Sequence, residues 1–281
     1  MLRPDWIAVD WGTSNLRAWA MAGDGQAMAV ASSDRGMGRL RRDEFEGALR
    51  DLVGDWMGEG VTRVLVCGMA GARQGWIEAG YGRVPGPPLS GTLVRAPAGP
   101  DLEVRIVPGL SQAEPPDVMR GEETQIAGFL ALEPGWDGVL CLPGTHSKWV
   151  RVGAGEVVAF RTFMTGELYA AIGAGTVLRH SLAGEGWDGA AFAAALAEGI
   201  ARPEALASRL FAIRAESLLT GLSPAAARAR LSGLLIGAEL QAARGWWLGQ
   251  RVAIIGTGRL ARHYRTALAA QGVEAAMTDG E

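Results

Sequence analysis

Lysine is all but missing from this chain: of 27 basic residues, 26 are Arg and one, Lys148, is Lys. The bias singles out one compact ammonium, which serves as a point charge where a forked guanidinium does not fit. Cysteine is scarce as well. Cys67 and Cys141 each lie near the end of an apolar β-branched run; two thiols permit one disulfide, have no metal-site spacing, and read most simply as small core hydrophobes. A basic excess is absent: the formal charge is −3, and the densest basic run, Arg39-Leu40-Arg41-Arg42, is followed at once by Asp43, Glu44 and Glu46. That argues against sequence-independent nucleic-acid binding, which needs a basic face. Long apolar runs are missing too, and Met1-Leu2-Arg3-Pro4-Asp5 carries no signal core. The expectation is a cytoplasmic protein with neither membrane nor nucleic acid as partner; a homo-oligomer stays open.

What the chain has in abundance is glycine, 41 of 281 residues, within a 48% apolar composition long enough for one large domain or two of ordinary size. Three times a strand-like apolar run breaks at a glycine-and-hydroxyl turn: Val9-Asp10-Trp11-Gly12-Thr13-Ser14, Leu142-Pro143-Gly144-Thr145-His146-Ser147-Lys148 and Ile255-Gly256-Thr257-Gly258. Glycine lets backbone approach a phosphate chain, such a turn presents a nest of N–H donors, and the hydroxyls add uncharged ones. Gly12, Thr13, Ser14, Gly144, Thr145, His146, Gly256, Thr257 and Gly258 are therefore the candidate nucleotide-binding residues. Asp10 would repel phosphate unless a cation lies between them, so Mg²⁺ held through water is the reading for it. The third turn is not a Rossmann fingerprint, because no third glycine follows at the right spacing and no acidic residue ends a following strand.

Residues 5–33 read as three strands, 6–9, 16–21 and 27–31, in hairpin succession. Phe45, Leu49, Leu52, Val53 and Trp56 then repeat with helical spacing, and 63–67 reads as a strand buried on both faces. The stretch from Gly80 to Pro116 is polar and Gly/Pro-rich, with 104–107 as its one clear strand, after which Asp117 is expected to cap a helix. The second half repeats the opening, with strands at 138–142, 148–152 and 156–160; residues 190–245 are helical, 251–255 is a last buried strand, and 259–271 a helix. This duplication implies an α/β fold of two lobes, 1–116 and 117–281. The element order resembles each half of the actin, hexokinase and heat-shock ATPase superfamily, whose duplicated ribonuclease H-like (actin-like ATPase) fold sets two lobes around a nucleotide cleft.

The resemblance becomes specific in five segments: Asp10-Trp11-Gly12-Thr13-Ser14-Asn15-Leu16-Arg17, Gly68-Met69 to Gln74-Gly75-Trp76, Pro116-Asp117-Val118-Met119-Arg120-Gly121-Glu122-Glu123-Thr124-Gln125, Pro143-Gly144-Thr145-His146-Ser147-Lys148-Trp149 and Thr162-Phe163-Met164-Thr165-Gly166-Glu167-Leu168. In order and over nearly the whole chain, these are similar to the 2-dehydro-3-deoxygalactonokinase family. The resemblance implies transfer of the γ-phosphate of ATP, with Mg²⁺, to the 6-hydroxyl of a small sugar acid, 2-dehydro-3-deoxy-D-galactonate. It also implies that Asp117, which lies 27 residues before Gly144, is the catalytic base. A substrate carboxylate calls for Arg73, Arg120, Arg161 or Lys148, and the substrate hydroxyls for Asn15, Gln74, Glu122 or Glu167. Pro143 stands where many superfamily members carry Asp, so Mg²⁺ would rest mainly on Asp10 and water. Thr278-Asp279-Gly280-Glu281 falls where the family continues into a helix that returns to the first lobe. Two further readings stand beside this one: the same fold with another acceptor, and a non-catalytic actin-like nucleotide-binding module.

Overall fold

Trp6-Ile7-Ala8-Val9-Asp10-Trp11 alternates half-buried with buried positions, the signature of a strand with one face on a core. It is the first strand of a computed structural model that describes residues 2–280; what rests on Met1 and Glu281, including part of each expectation for the chain ends, lies outside the described residues. Contacts divide the chain into two compact units, one ending at Leu132 and the other beginning at Glu133. The division therefore falls beyond the 116/117 position expected from sequence, because the segment after Pro116 joins the first unit.

In that first unit, β1 (Trp6–Trp11), β2 (Leu16–Met21) and β3 (Ala27–Ser33) precede α1 (Phe45–Val53) and β4 (Thr62–Gly68). Next come β5 (Tyr81–Arg83), β6 (Val94–Arg95), β7 (Leu102–Ile106), β8 (Gly109–Gln112), β9 (Asp117–Met119) and α2 (Glu122–Leu132). The main sheet has the order β3-β2-β1-β4-β7-β6, with β1, β4 and β7 parallel. Behind it Trp11, Phe45 and Trp76 form a buried aromatic cluster with ring centroids 4.8–5.9 Å apart. The expectation for residues 117–126 is corrected here. Asp117 does not cap a helix: it pairs with Gln112 across β8 and β9, and its carboxylate accepts from the Val118 N–H at 2.8 Å. Pairing with a strand already in place outweighs the local start signal of Pro-Pro-Asp, and α2 begins only at Glu122.

The second unit opens with β10 (Gly138–Leu142), β11 (Ser147–Gly153) and β12 (Glu156–Phe163). Six helices follow: α3 (Thr165–Gly175), α4 (Arg179–Leu182), α5 (Gly189–Ala201), α6 (Leu206–Leu219), α7 (Pro224–Ala242) and α8 (Arg244–Trp247). Then come β13 (Val252–Ile255), α9 (Gly258–Ala269) and β14 (Ala276–Thr278). The sheet order β12-β11-β10-β13-β14 matches β3-β2-β1-β4-β7 strand for strand, antiparallel across the hairpins and parallel beyond them. α7 starts with the Ser223 side chain accepting from the Ala226 N–H and with Pro224 in its first turn, both ordinary start devices. It packs closely on α5 through small residues: a Cβ on Gly233 would lie 2.5 Å from the Phe192 carbonyl oxygen, and one on Gly237 2.5 Å from that of Leu196. That approach fixes the helix whose side chains line the cavity described below. Cys141 is buried and Cys67 half-buried, and both are free thiols. No helix among the described residues is long and apolar enough to cross a membrane.

Candidate active site

In the first unit the parallel neighbours β1 and β4 end side by side, with Asp10 opposite Cys67 and Trp11 opposite Gly68. The carboxyl ends of parallel strands are where such sheets present ligand-binding groups. Asp10 Oδ2 accepts from Arg17 Nη2 at 2.8 Å. The adjoining turn is closed by Gly12 N–H donating to the Asn15 carbonyl at 2.9 Å, and is held from behind by Met37 and Gly38, whose N–H groups donate to the Gly12 and Thr13 carbonyls. A Cβ on Gly36 would collide with the Ser14 carbonyl carbon, so backbone lies directly on backbone here. Thr13, Ser14 and Asn15 are left exposed.

The start of α2 reaches the same strand ends, since a Cβ on Gly121 would touch Gly68 Cα at 3.4 Å. Glu123 is fully buried there and accepts from the Gly121 N–H at 2.7 Å. Burial, reinforced by Glu122, pushes its carboxyl up to about 8, so it is protonated at neutral pH. Burial, with Asp10 and Glu123 adding to it, also pushes the Cys67 thiol up, which keeps it unreactive. Glu122 accepts from the Arg120 N–H at 3.0 Å. Arg120 donates to the Gly80 carbonyl at 2.9 Å and lies over the Tyr81 ring. Arg73 and Gln74 are exposed on the loop after β4, whose Arg73 and Gly75 carbonyls accept from Arg42. A lone carboxylate with Arg17 on one oxygen fits a cation that keeps most of its water and takes phosphate as its other ligand. It does not fit a fully protein-ligated metal, and among the described residues no group of three or more His, Cys, Asp or Glu could hold one.

In the second unit Gly144 and Thr145 line a cavity of about 430 Å³ together with Thr165, Gly166, Tyr169, Trp187, Arg228, Arg259 and His263. The turn is held against the start of α3: the Glu167 N–H donates to the Thr145 carbonyl at 2.9 Å, and a Cβ on Gly166 would collide with the Gly144 carbonyl oxygen. His146 and Glu167 are joined by a 2.6 Å hydrogen bond. The third turn delivers α9 to the same cavity; Gly258, at φ +75°, opens the helix that carries Arg259, Leu260 and His263. The Trp187 and His263 rings stack at 4.2 Å. Burial, with Arg259 and Arg262 nearby, holds the His263 imidazole below its usual value, so the stack involves a neutral ring. Trp187 is positioned by Arg228, whose guanidinium donates to the carbonyls of Leu182, Gly184 and Gly186 at 2.7–3.0 Å. A stacked aromatic pair beside two guanidiniums and a glycine turn offers a face on which a planar base with an attached phosphate chain can lie.

Of the second unit's candidates Gly144 and Thr145 line this cavity, whereas His146, Lys148, Arg161, Glu167, Gly256, Thr257 and Gly258 are not among its lining residues. Lys148 is buried at 3% exposure and its ammonium donates to the His146 carbonyl at 3.2 Å, while Arg161 is exposed on β12, in register with Trp149. Arg228, Trp187, His263 and Tyr264, all on the cavity wall, escaped the sequence reading. Only Arg259, next to the third turn, had a signal that could have found it.

Two matching sheets with glycine turns at their strand ends define a duplicated ribonuclease H-like protein, the fold of the actin-like ATPases. The activator of 2-hydroxyisocaproyl-CoA dehydratase from Clostridium difficile, solved with bound ADPNP, shares this fold: TM-score 0.51 at 11% identity, covering 97% of this chain and 88% of that one. Residues 10–281 match the family described as 2-keto-3-deoxy-galactonokinase, and the chain belongs to that family. It is 42% identical to the probable 2-dehydro-3-deoxygalactonokinase of Rhizobium meliloti (strain 1021), over 98% of this chain and 92% of the relative. It is 36% identical to the 2-dehydro-3-deoxygalactonokinase of Escherichia coli (strain K12), over 98% and 93%. A crystal structure described as a 2-dehydro-3-deoxygalactonokinase protein from Sinorhizobium meliloti superposes with a TM-score of 0.91 at 40% identity, covering 98% of this chain and 91% of that one. The protein is thus a kinase, a phosphotransferase with a sugar-acid acceptor.

Proposed function

We propose that this enzyme transfers the γ-phosphoryl group of ATP to the 6-hydroxyl of 2-dehydro-3-deoxy-D-galactonate in the cytoplasm. The observation that carries the nucleotide half is the second unit's cavity, in which an aromatic stack and two arginines meet the Gly144-Thr145 turn and the start of α9. The acceptor follows from family membership. Gly144 and Thr145 hold phosphate, the third turn and the Trp187–His263 stack hold the nucleoside, and Arg228 and Arg259 neutralise charge. In the first unit Gly12, Thr13 and Ser14 contribute donors, and Asp10 would hold Mg²⁺ through water, which when bound neutralises charge on the transferring phosphoryl oxygens.

The acceptor proton goes to a carboxylate of the segment 117–122. The family resemblance and its place before the second phosphate turn give this role to Asp117, on β9; Glu122 is the residue that opens α2, so the helix-start argument favours Glu122, and the two stand as candidates. Purified protein, ATP and the deoxy-keto acid should give ADP and a product whose phosphorus couples to the C6 protons by NMR. Turnover of a simple hexose but not of this acid overturns the acceptor. Glu122→Gln should lower kcat about 100-fold or more while ATP still binds; a loss confined to Asp117→Asn returns the base to Asp117.

A further inference from the structure

Behind the second unit's cavity lies a buried carboxylate that the reaction as proposed does not touch. Glu239, on α7, is 3% exposed. Its Oε1 accepts from the Trp149 indole N–H at 2.8 Å, and its Oε2 from the Tyr264 hydroxyl at 2.6 Å. Thr165 and Ser147 add side-chain hydrogen bonds to the same carboxylate. The Ser147 and Tyr264 hydroxyls also lie 2.8 Å apart. Burial pushes the Glu239 carboxyl up, and these donors pull it back down. All four of these donors are neutral groups.

The donors do not belong to one element. Ser147 ends the second glycine turn and begins β11, which also carries Trp149; Thr165 is the first residue of α3, against whose next residue, Gly166, that turn is packed; Tyr264 belongs to α9, which starts on the third turn. Thr165 and Tyr264 themselves line the cavity. A single carboxylate on α7 is therefore the common acceptor for the end of the second glycine turn, β11, the start of α3 and α9. Four separate hydroxyl and indole dipoles cannot keep one arrangement unless something accepts from all of them, and a buried network of this kind fixes geometry only while every member is satisfied.

We propose that Glu239 is a positioning residue for nucleotide binding: it sets the second glycine turn, the start of α3 and α9 in the mutual geometry that ATP requires, without touching the ligand. This inference rests on the reading of the cavity as the nucleotide site. Glu239→Gln keeps the shape but turns one acceptor oxygen into a donor that faces donors. Tyr264→Phe keeps the ring and removes one arm of the network.

The test is calorimetric titration of the full chain with a non-hydrolysable ATP analogue, together with KM for ATP and for the sugar acid. Leaving a buried donor of this network unsatisfied should weaken nucleotide binding about tenfold to a hundredfold in Glu239→Gln, and less in Tyr264→Phe, with KM for ATP rising alongside and KM for the acceptor moving less than twofold. A merely structural role would lower the active fraction and leave KM for ATP where it was. Folded variants that bind the analogue as tightly as the parent overturn the inference; if Glu239→Gln does not fold, Tyr264→Phe alone decides it. A parent chain that binds no analogue overturns the nucleotide reading itself and the inference with it, and that outcome is read from the parent alone.

Discussion

The two units begin with the same strand, glycine turn and strand, yet the strands beside their turns are anchored by different means. In the first, the turn after β1 rests on backbone from Gly36 to Gly38, and the strand beneath it ends in Trp11, packed on Phe45 and Trp76 in a dry aromatic cluster. In the second, the turn after β10 rests on the start of α3, and the strand leaving it runs into the polar network around Glu239. Apolar packing is non-directional and tolerates small shifts, whereas a hydrogen-bonded carboxylate fixes both distance and angle. Backbone hydrogen bonds hold both turns, but the strand beside the second unit's cavity is the one anchored by a side-chain hydrogen-bond network.

The most damaging way to break this comparison is to empty the aromatic cluster. Trp76→Ala should destabilise the protein by about 3–5 kcal/mol through lost burial and a residual cavity. Trp149→Phe in the second unit removes chiefly one indole donor from Glu239 and should cost about 1–3 kcal/mol. Urea unfolding of both variants checks the ranking; equal losses would mean that the two supports do not differ in kind.

Next in size is the pH dependence that Glu123 gives the first unit. Glu123 is pushed from an ordinary value of 4.5 to about 8. Between those values the unfolded chain has released this proton and the native one has kept it, so the native state binds more protons and this group's contribution to stability falls as pH rises. The loss is on the order of a few kcal/mol, complete above about pH 8. Glu123→Gln should flatten the stability profile over that window, and an unchanged slope would show that the group is ionised when folded.

How much of this was legible beforehand follows from how local each signal is. The glycine turns, the duplicated hairpins and the strand expected at 251–255 are written in a few adjacent residues and lie where their patterns place them, whereas β14, at 276–278, had no such signal. At Asp117, Pro-Pro-Asp is a sound local start signal that a strand partner, β8, overrules. The short pairing of β5 with β8 had no signal at all, since Tyr81–Arg83 is a strand only because Gly109–Gln112 lies beside it. Glu239 and Arg228 sit in an Ala/Leu-rich helix without any motif. Their meaning comes from partners such as Trp149, 90 residues from Glu239, and the carbonyls of Leu182, Gly184 and Gly186, more than 40 residues from Arg228.

The two glycine supports can be broken one at a time. Gly36→Ala and Gly166→Ala each drive a Cβ into the backbone of a turn, and each should cost about 1–3 kcal/mol as that backbone yields. Displacing a positioning element by about 1 Å can cost on the order of 100-fold in rate. Because the second turn is also tied through Ser147, Gly166→Ala should raise KM for ATP more than Gly36→Ala does. The opposite order in steady-state kinetics would place the decisive phosphate contacts in the first unit.

The smallest expected effect is also the most discriminating. Trp187 stacks on a neutral His263 and is aimed by three carbonyl contacts to Arg228, and the first unit's glycine turn has no counterpart to this among the described residues. Stacking beyond simple burial is worth about 0.5–1.5 kcal/mol, so Trp187→Leu should weaken ATP by roughly twofold to tenfold. Because the loss would be of base stacking, the affinity for inorganic triphosphate should stay as it was. Competition of triphosphate and of ATP against a labelled nucleotide separates the two. Equal weakening of both would mean that Trp187 shapes the phosphate turn, and the aromatic pair would then belong to the fold and not to the base.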